Sequence, residues 1–321
     1  MRLGVKWGRL SIFYLFGLIQ TLDNPNGRKD DYMPKIAVLT DSACDLPEEM
    51  RKEYDIDIMN FKIALGGNAY TERVDFTPLE YCEMLRSAEG MPTTSQVTAY
   101  EFQERFKAYD DAGVEQVLYV SINGTGSATN ASAHQAAEQF REERPQSGMQ
   151  IFIVDSHCYS MAYGYPVAQA AQALRAGTPM QEVVDKLEDA FSRMEILLTA
   201  YTLKIIRKSG RISAAAAIAG ELLGLHPIFT LIDGVSQVVK KVRGEKSVAT
   251  NMASQMKARI AENSPYIVAV TNDRYSEAYT AACEKAVGYP PVGVFQLGAA
   301  ICSNTGPEAV GLIYLGQKRD R

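Results

Sequence analysis

Two hydroxyl-rich segments carry the side chains best suited to holding an anion. In MPTTSQVTAYEF, Thr93, Thr94 and Ser95 stand just before a helical pattern. They read either as caps, whose oxygens accept from free helix N–H groups, or as an anion cradle, in which those N–H groups and the hydroxyls donate together. In SINGTGSATNASA, Gly124 and Gly126 allow close backbone approach between a strand and a helix. The third glycine of a dinucleotide fingerprint is missing and no P-loop pattern occurs, so this loop suits a single carboxylate or phosphate. A third segment, SGRISAAAAIAGELLGL, sets Arg211 in a tight turn after Gly210, with Ser213 as a cap. A cation at a helix start opposes the macrodipole, which points to another job for Arg211. The run from Ala214 to Ala217 allows either close helix packing or a slot for an apolar ligand.

Covalent chemistry finds few parts. Ser121 or Ser127 would need a positioned base, and the chain has only His134, His157 and His226. His134 lies two helical turns beyond Ser127, about 10 Å along the axis, and cannot activate it from the same helix. No nucleophile elbow, HExxH or paired-carboxylate pattern is present. Asp41 and Asp155 end apolar runs and keep open a phosphotransferase or hydrolase that uses strand-end Ser and Asp residues. Cys44, Cys82, Cys158, Cys283 and Cys302 are scattered without a CxxC pair. They argue against a metal site or a disulfide framework and fit buried thiols in the cytoplasm. The formal net charge of -5, without basic clusters among aromatics, opposes nucleic-acid binding.

The elements that must position these groups follow from pattern. Short β-rich runs (KIAVLT, QVLYVSI, QIFIVDS) alternate with helical segments, which predicts a mostly parallel sheet with ligands beyond its carboxyl ends. DLPEEM opens a helix with Asp45 as N-cap, and TPLEYCEMLRSA another with Thr77 as cap and Pro78 beside it. Gly66-Gly67-Asn68 and Asp233-Gly234 are hairpin turns. LKIIRKSGRIS reads as a basic turn and VGVFQLGAAI as a strand. ICSNTGPEAVGLIYLG, from Ile301 to Gly316, reads as strand, polar turn and second strand, and Asn304-Thr305 is either a turn or one wall of a site. The fold class expected is α/β in two domains. Residues 34–160 form a mostly parallel sheet with flanking helices and a small β insertion at about 60–77; residues 161–321 form an α/β domain with antiparallel strands. Residues 1–33 hold a basic, an apolar and a polar stretch that loosely resemble a signal peptide, but no small-residue cleavage site follows. The apolar stretch is too short to span a bilayer, and the domain is expected to begin near Met33.

Six motifs in order, KIAVLTDSACDLP, TTSQVTAYEF, VLYVSINGTGSATNASA, VDSHCYSMAYG, LKIIRKSGRIS with ELLGLHPIFTLIDG, and NTGPEAVGLIY, together resemble the DegV family of bacterial fatty-acid-binding proteins. The resemblance covers Met33 to about Gly316. It implies two α/β domains gripping one long-chain fatty acid, with the acyl tail in an apolar tunnel. It also implies a non-catalytic carrier that presents the carboxylate to a separate fatty acid kinase for phospholipid synthesis. No cofactor or metal is implied; contact with a membrane surface would be transient, without a transmembrane segment. By position, Thr94, Ser95, Ser127, Thr129, Asn304 and Thr305 fall to the carboxylate. Arg211, Ala215, Ile218, Lys241 and Arg243 fall to the pocket or partner surface, with Lys240 beside them, where a solvated hairpin is the other reading. Three departures stand out. Asn123-Gly124 replaces a Ser-Ser pair, Asn304 a histidine, and Glu308 a glycine. Each changes the donors or charge expected near an anion.

Overall fold

The computed structural model describes residues 34–216, 218 and 224–317. The expectations for residues 1–33 and for most of the small-sided run after Ala216 lie outside the described residues. In chain order the first elements are β1 (Ile36–Asp41), α1 (Glu48–Glu53), β2 (Ile56–Met59), β3 (Lys62–Leu65), β4 (Asn68–Thr71), α2 (Pro78–Ser87), β5 (Thr93–Ser95), α3 (Ala99–Asp111), β6 (Gln116–Ser121), α4 (Thr129–Glu143) and β7 (Gln150–Asp155). Then come α5 (Met161–Arg175), α6 (Met180–Arg193), β8 (Met194–Ala200), α7 (Leu203–Lys208), α8 (Ser213–Ala216), β9 (Leu225–Ile232) and β10 (Val235–Arg243). The chain finishes with α9 (Val248–Lys257), β11 (Tyr266–Val270), α10 (Ser276–Val287), β12 (Val294–Gln296), α11 (Ala299–Thr305) and β13 (Ala309–Leu315).

The fold is mixed α/β, built on three sheets. The first is parallel, in the order β2-β1-β6-β7. Its central strands are apolar on both faces because helices cover both sides of a parallel sheet. The second is a small antiparallel sheet, β4-β3-β5. Its hairpin turns through Gly66 and Gly67, both at positive φ (59° and 81°), where glycine has no Cβ penalty. The third has the order β10-β9-β8-β13-β11-β12 and is antiparallel except for β11–β12.

Side-chain alternation gives the third sheet two separate jobs. On β13, Val310, Leu312 and Tyr314 pack with α9 and α10 residues such as Met252, Met256 and Tyr279. Ala309, Ile313 and Leu315 point the other way, into the main core shared with the N-terminal sheets.

Local chemistry explains where the structure departs from the sequence expectations. Thr77 does cap α2, in a reciprocal box with Glu80. Thr98, boxed with Glu101, caps α3, so Thr93–Ser95 are not caps but a strand on β3. Asp45 does not cap α1. It is buried and accepts a hydrogen bond from Ser160 Oγ, while Pro47 takes the cap position. LKIIRK is the helix α7 rather than a turn. The largest correction concerns Ala299–Thr305, which is helix and not strand or turn. Ser303, Asn304 and Thr305 each donate to the carbonyl four residues back, at 2.8, 2.8 and 3.1 Å. Turn-type residues thus close this helix by back-bonding its carbonyls, and Gly306 at φ 93° ends it.

Candidate functional site

A cavity of about 120 Å³ lies between the N-terminal sheets and the core-facing side of the third sheet. Its lining has two chemistries. Ile196, Leu198, Leu231, Ala269 and Ile313 of the third sheet, with Leu297 and Ile301, make it apolar. Thr94, Gln96, Ser127, Tyr159, Arg211 and Asn304 bring polar groups to the same space. A wider cleft of about 420 Å³ near Glu48 and Arg73 lacks this pairing of an apolar wall with uncommitted donors.

The donors are ordered by what stands behind them. Val97 N donates to Thr129 Oγ1 at 3.4 Å, and Thr129 Oγ1 lies 2.9 Å from Ser127 Oγ. Thr129 N also donates to Ser127 Oγ, at 3.3 Å. When the Thr129 hydroxyl donates to Ser127 Oγ, the Ser127 proton is free to point into the cavity. Tyr159 is arranged alike. Its oxygen accepts from Asn123 Nδ2 at 2.8 Å, which frees its own O–H. Gly126 permits this, since a Cβ there would sit 2.3 Å from the Tyr159 oxygen. Burial pushes the Tyr159 phenol up, so it stays a donor at neutral pH, and the Arg211 charge acts against that rise. Hydroxyl donors beside one cation suit an anion.

Thr94, Ser127, Arg211, Asn304 and Thr305 all line the cavity. Asn304 Nδ2 gives one hydrogen to Ala300 O and keeps one for a ligand. The Thr305 hydroxyl donates to Ile301 O and has only lone pairs left. Thr129 is fully buried behind Ser127 and acts through it. Ser95 is exposed on β5, outside the lining, and Ala215 and Ile218 are buried in the main core. Lys240, Lys241 and Arg243 are exposed along β10, an edge strand of the third sheet. Of the three departures, Asn123 holds its loop by accepting from Thr125 N and Oγ1, and Glu308 is paired with Arg274 at 2.9 Å. Sequence reasoning missed Gln96, Tyr159 and Ser160; all three sit inside quoted motifs, as an amide, a phenol and a hydroxyl.

The strand-end carboxylates are structural in their bonding. Asp41 accepts from Tyr163 OH, Ile122 N and Tyr119 OH at 2.7, 2.9 and 3.1 Å. Burial raises its pKa to about 6 against the pull of those bonds. Asp155 accepts from the Gly124 and His157 amides. Ser121 Oγ accepts from Asn130. No histidine lines the cavity: His134 is exposed, His157 sits beside Asp155, and His226 packs on Tyr201. A pair of buried carboxyls, Asp45 and Glu72, joins three parts of the chain. Ser160 Oγ donates to Asp45, Ser42 Oγ to Glu72, and Ala300 N to Glu72, at 2.5, 2.5 and 2.7 Å. Burial, then the Glu72 charge, pushes Asp45 well above the carboxylate range. Among the described residues no cluster of His, Cys, Asp or Glu is placed to hold a metal ion, and no helix is long and apolar enough to cross a membrane.

The family model described as "Uncharacterised protein, DegV family" matches residues 35–317. The chain belongs to the DegV family. It is 30% identical over 295 residues to a DegV domain-containing protein of Clostridium perfringens, covering 90% of this chain and all (100%) of that one. The fold is similar to that of a DegV family protein from Thermus thermophilus described for its fatty acid binding. The TM-score there is 0.76 at 27% identity, covering 88% of this chain and 99% of that one. It is also similar to a stearic acid-binding protein from Eubacterium ventriosum, with TM-score 0.78 at 22% identity, covering 89% and 99%. This DegV chain therefore shares the α/β fold of proteins described as binding fatty acids.

Proposed function

We propose that this DegV chain binds one long-chain fatty acid and carries it without chemically changing it. The observation that carries the reading is the cavity itself, in which hydroxyl donors and Arg211 meet an apolar sheet face. An amphiphile with an anionic head uses both. Each buried methylene contributes about 0.8 kcal/mol, and the carboxylate takes charge-assisted bonds from Ser127, Thr94 and Tyr159. The fatty acid binding of the Thermus relative supports the same ligand class. The carrier role places the protein in the cytoplasm with a fatty acid kinase as partner, and the exposed cations Lys240, Lys241 and Arg243 offer that partner a basic edge. The domain division at 160/161 belongs to the same reading. Native mass spectrometry of protein expressed in bacteria tests it: a co-purified acyl chain is expected. No adduct, and no uptake of added palmitate or oleate, sinks the reading.

A second reading has one observation in its favour. Ser160 lines the cavity, donates to buried Asp45, and holds a backbone conformation (φ 57°, ψ -148°) rare outside glycine. A hydrolase would use Ser160 as nucleophile and Asp45 as its base. Turnover of acyl esters that Ser160→Ala abolishes would establish it; the carrier reading expects none.

A further inference from the structure

The cavity floor is a regular apolar surface with one notch in it. One row of side chains crosses the third sheet as Leu231, Ile196, Ile313 and Ile267. The neighbouring row runs Phe229, Leu198, Gly311 and Ala269. Large side chains fill the first row. The second drops to a glycine and an alanine paired across β13 and β11, and both line the cavity. The backbone does not call for this glycine, since Gly311 is not among the residues at positive φ. Packing does not call for it either. A Cβ built on Gly311 would meet Ala269 Cβ at 3.7 Å and Leu197 O at 3.8 Å, which are ordinary contacts. Gly306, by contrast, lies in the left-handed region, and Gly316 would drive a Cβ to 2.6 Å from Glu195. Glycine inside a strand forfeits cross-strand packing and backbone entropy, and often marks a place where a ligand comes close.

We propose that the Ala269–Gly311 notch sets the length of acyl chain that the cavity accepts. The inference rests on the fatty-acid reading above. The methylenes of the tail occupy the volume that a β13 side chain would fill, and each methylene lost from the apolar wall lowers affinity about fourfold. Gly311→Val fills the notch with an isopropyl group and evicts part of the longest chains. Gly311→Ala fills less of it. Ala269→Gly enlarges it.

The test presents wild type and the three variants with an equimolar mixture of laurate, myristate, palmitate and stearate, and reads the bound species by native mass spectrometry. The expected result is a shift toward shorter chains in Gly311→Ala, a larger shift in Gly311→Val, and a shift toward longer chains in Ala269→Gly. If Gly311→Val does not fold, Gly311→Ala and Ala269→Gly carry the test, since the added methyl meets only ordinary contacts. Uptake with the same length distribution in Gly311→Ala, Ala269→Gly and wild type overturns the assignment alone. No uptake of any acid by the wild type overturns the fatty-acid reading and this assignment with it.

Discussion

Ser127 and Thr129 differ in role although they stand two residues apart, and that difference is measurable. Ser127 lines the cavity and Thr129 does not. On the fatty-acid reading, Ser127→Ala removes a donor to the carboxylate, a charge-assisted bond worth about 1.5–3 kcal/mol. Fatty-acid affinity should therefore fall roughly 10- to 150-fold. Thr129→Val keeps the Ser127 hydroxyl but removes the oxygen that orients it. Freeing a rotor among three wells costs about 0.6 kcal/mol, or roughly threefold in affinity. The same change strips Val97 N of its acceptor, 3.4 Å away in the wild type, inside the fold. That loss should lower stability by about 1 kcal/mol, and Ser127→Ala, which strips Thr129 N of its acceptor at 3.3 Å, should lower it by a similar amount. Displacement of a fluorescent fatty acid gives the affinities, and urea unfolding gives the stabilities. Comparable losses of stability and unequal losses of affinity are expected, with Ser127→Ala hurting binding more. Equal affinity losses, or a larger loss in Thr129→Val, would refute the ordering of donors derived from the hydrogen bonds.

Three further outcomes are expected. Asp41 has a folded-state pKa of about 6 against 3.8 for the free side chain, so its contribution to folding is present below about pH 4 and lost as pH rises through 6. The stability difference between wild type and Asp41→Asn should fall by about 3 kcal/mol across that range; a flat or rising difference contradicts the assignment. Asn304→His should make fatty-acid affinity rise as pH drops through about 6.5, while the wild type changes less over pH 5–8; matching profiles would mean that this side chain does not face the carboxylate. Cys82 and Cys302 join α2 to α11 with sulfurs 3.6 Å apart, and a disulfide needs about 2.05 Å. A small-molecule disulfide oxidant should link them with loss of two hydrogens, seen by intact mass after denaturing alkylation; alkylation of both thiols would count against it.

What the sequence made legible were the elements whose signals are local. The apolar runs of β1, β6 and β7, the Gly66-Gly67 and Asp233-Gly234 turns, and Thr77 with Pro78 each carry their own reason, and each appears where expected. The misread elements were decided elsewhere. Ala299–Thr305 has strand-compatible apolar residues followed by turn types; only the back-bonds of Ser303, Asn304 and Thr305 reveal a helix. Asp45 has the look of a cap, but Ser160, distant in sequence, holds it in the interior by a hydrogen bond. The polar site was legible in part, because Thr94, Ser127 and Arg211 stand in segments rich in hydroxyls and glycine. Tyr159 was not, since its freed proton depends on Asn123 across the loop. The apolar floor was not either, since only strand pairing brings Leu231, Ile196 and Ile313 into one row.

The alternation along β13 ties two properties that could otherwise vary independently. Gly311 and Ile313 line the cavity, while Val310, Leu312 and Tyr314 serve the packing under α9 and α10. Deleting or inserting one residue in this strand would exchange the two sets. Tyr314 or Leu312 would then block the cavity in the same event that left Gly311 beneath α9 as a hole. Changes in ligand preference along this strand are thus confined to substitutions, and a shift of frame costs the fold before it can reshape the site.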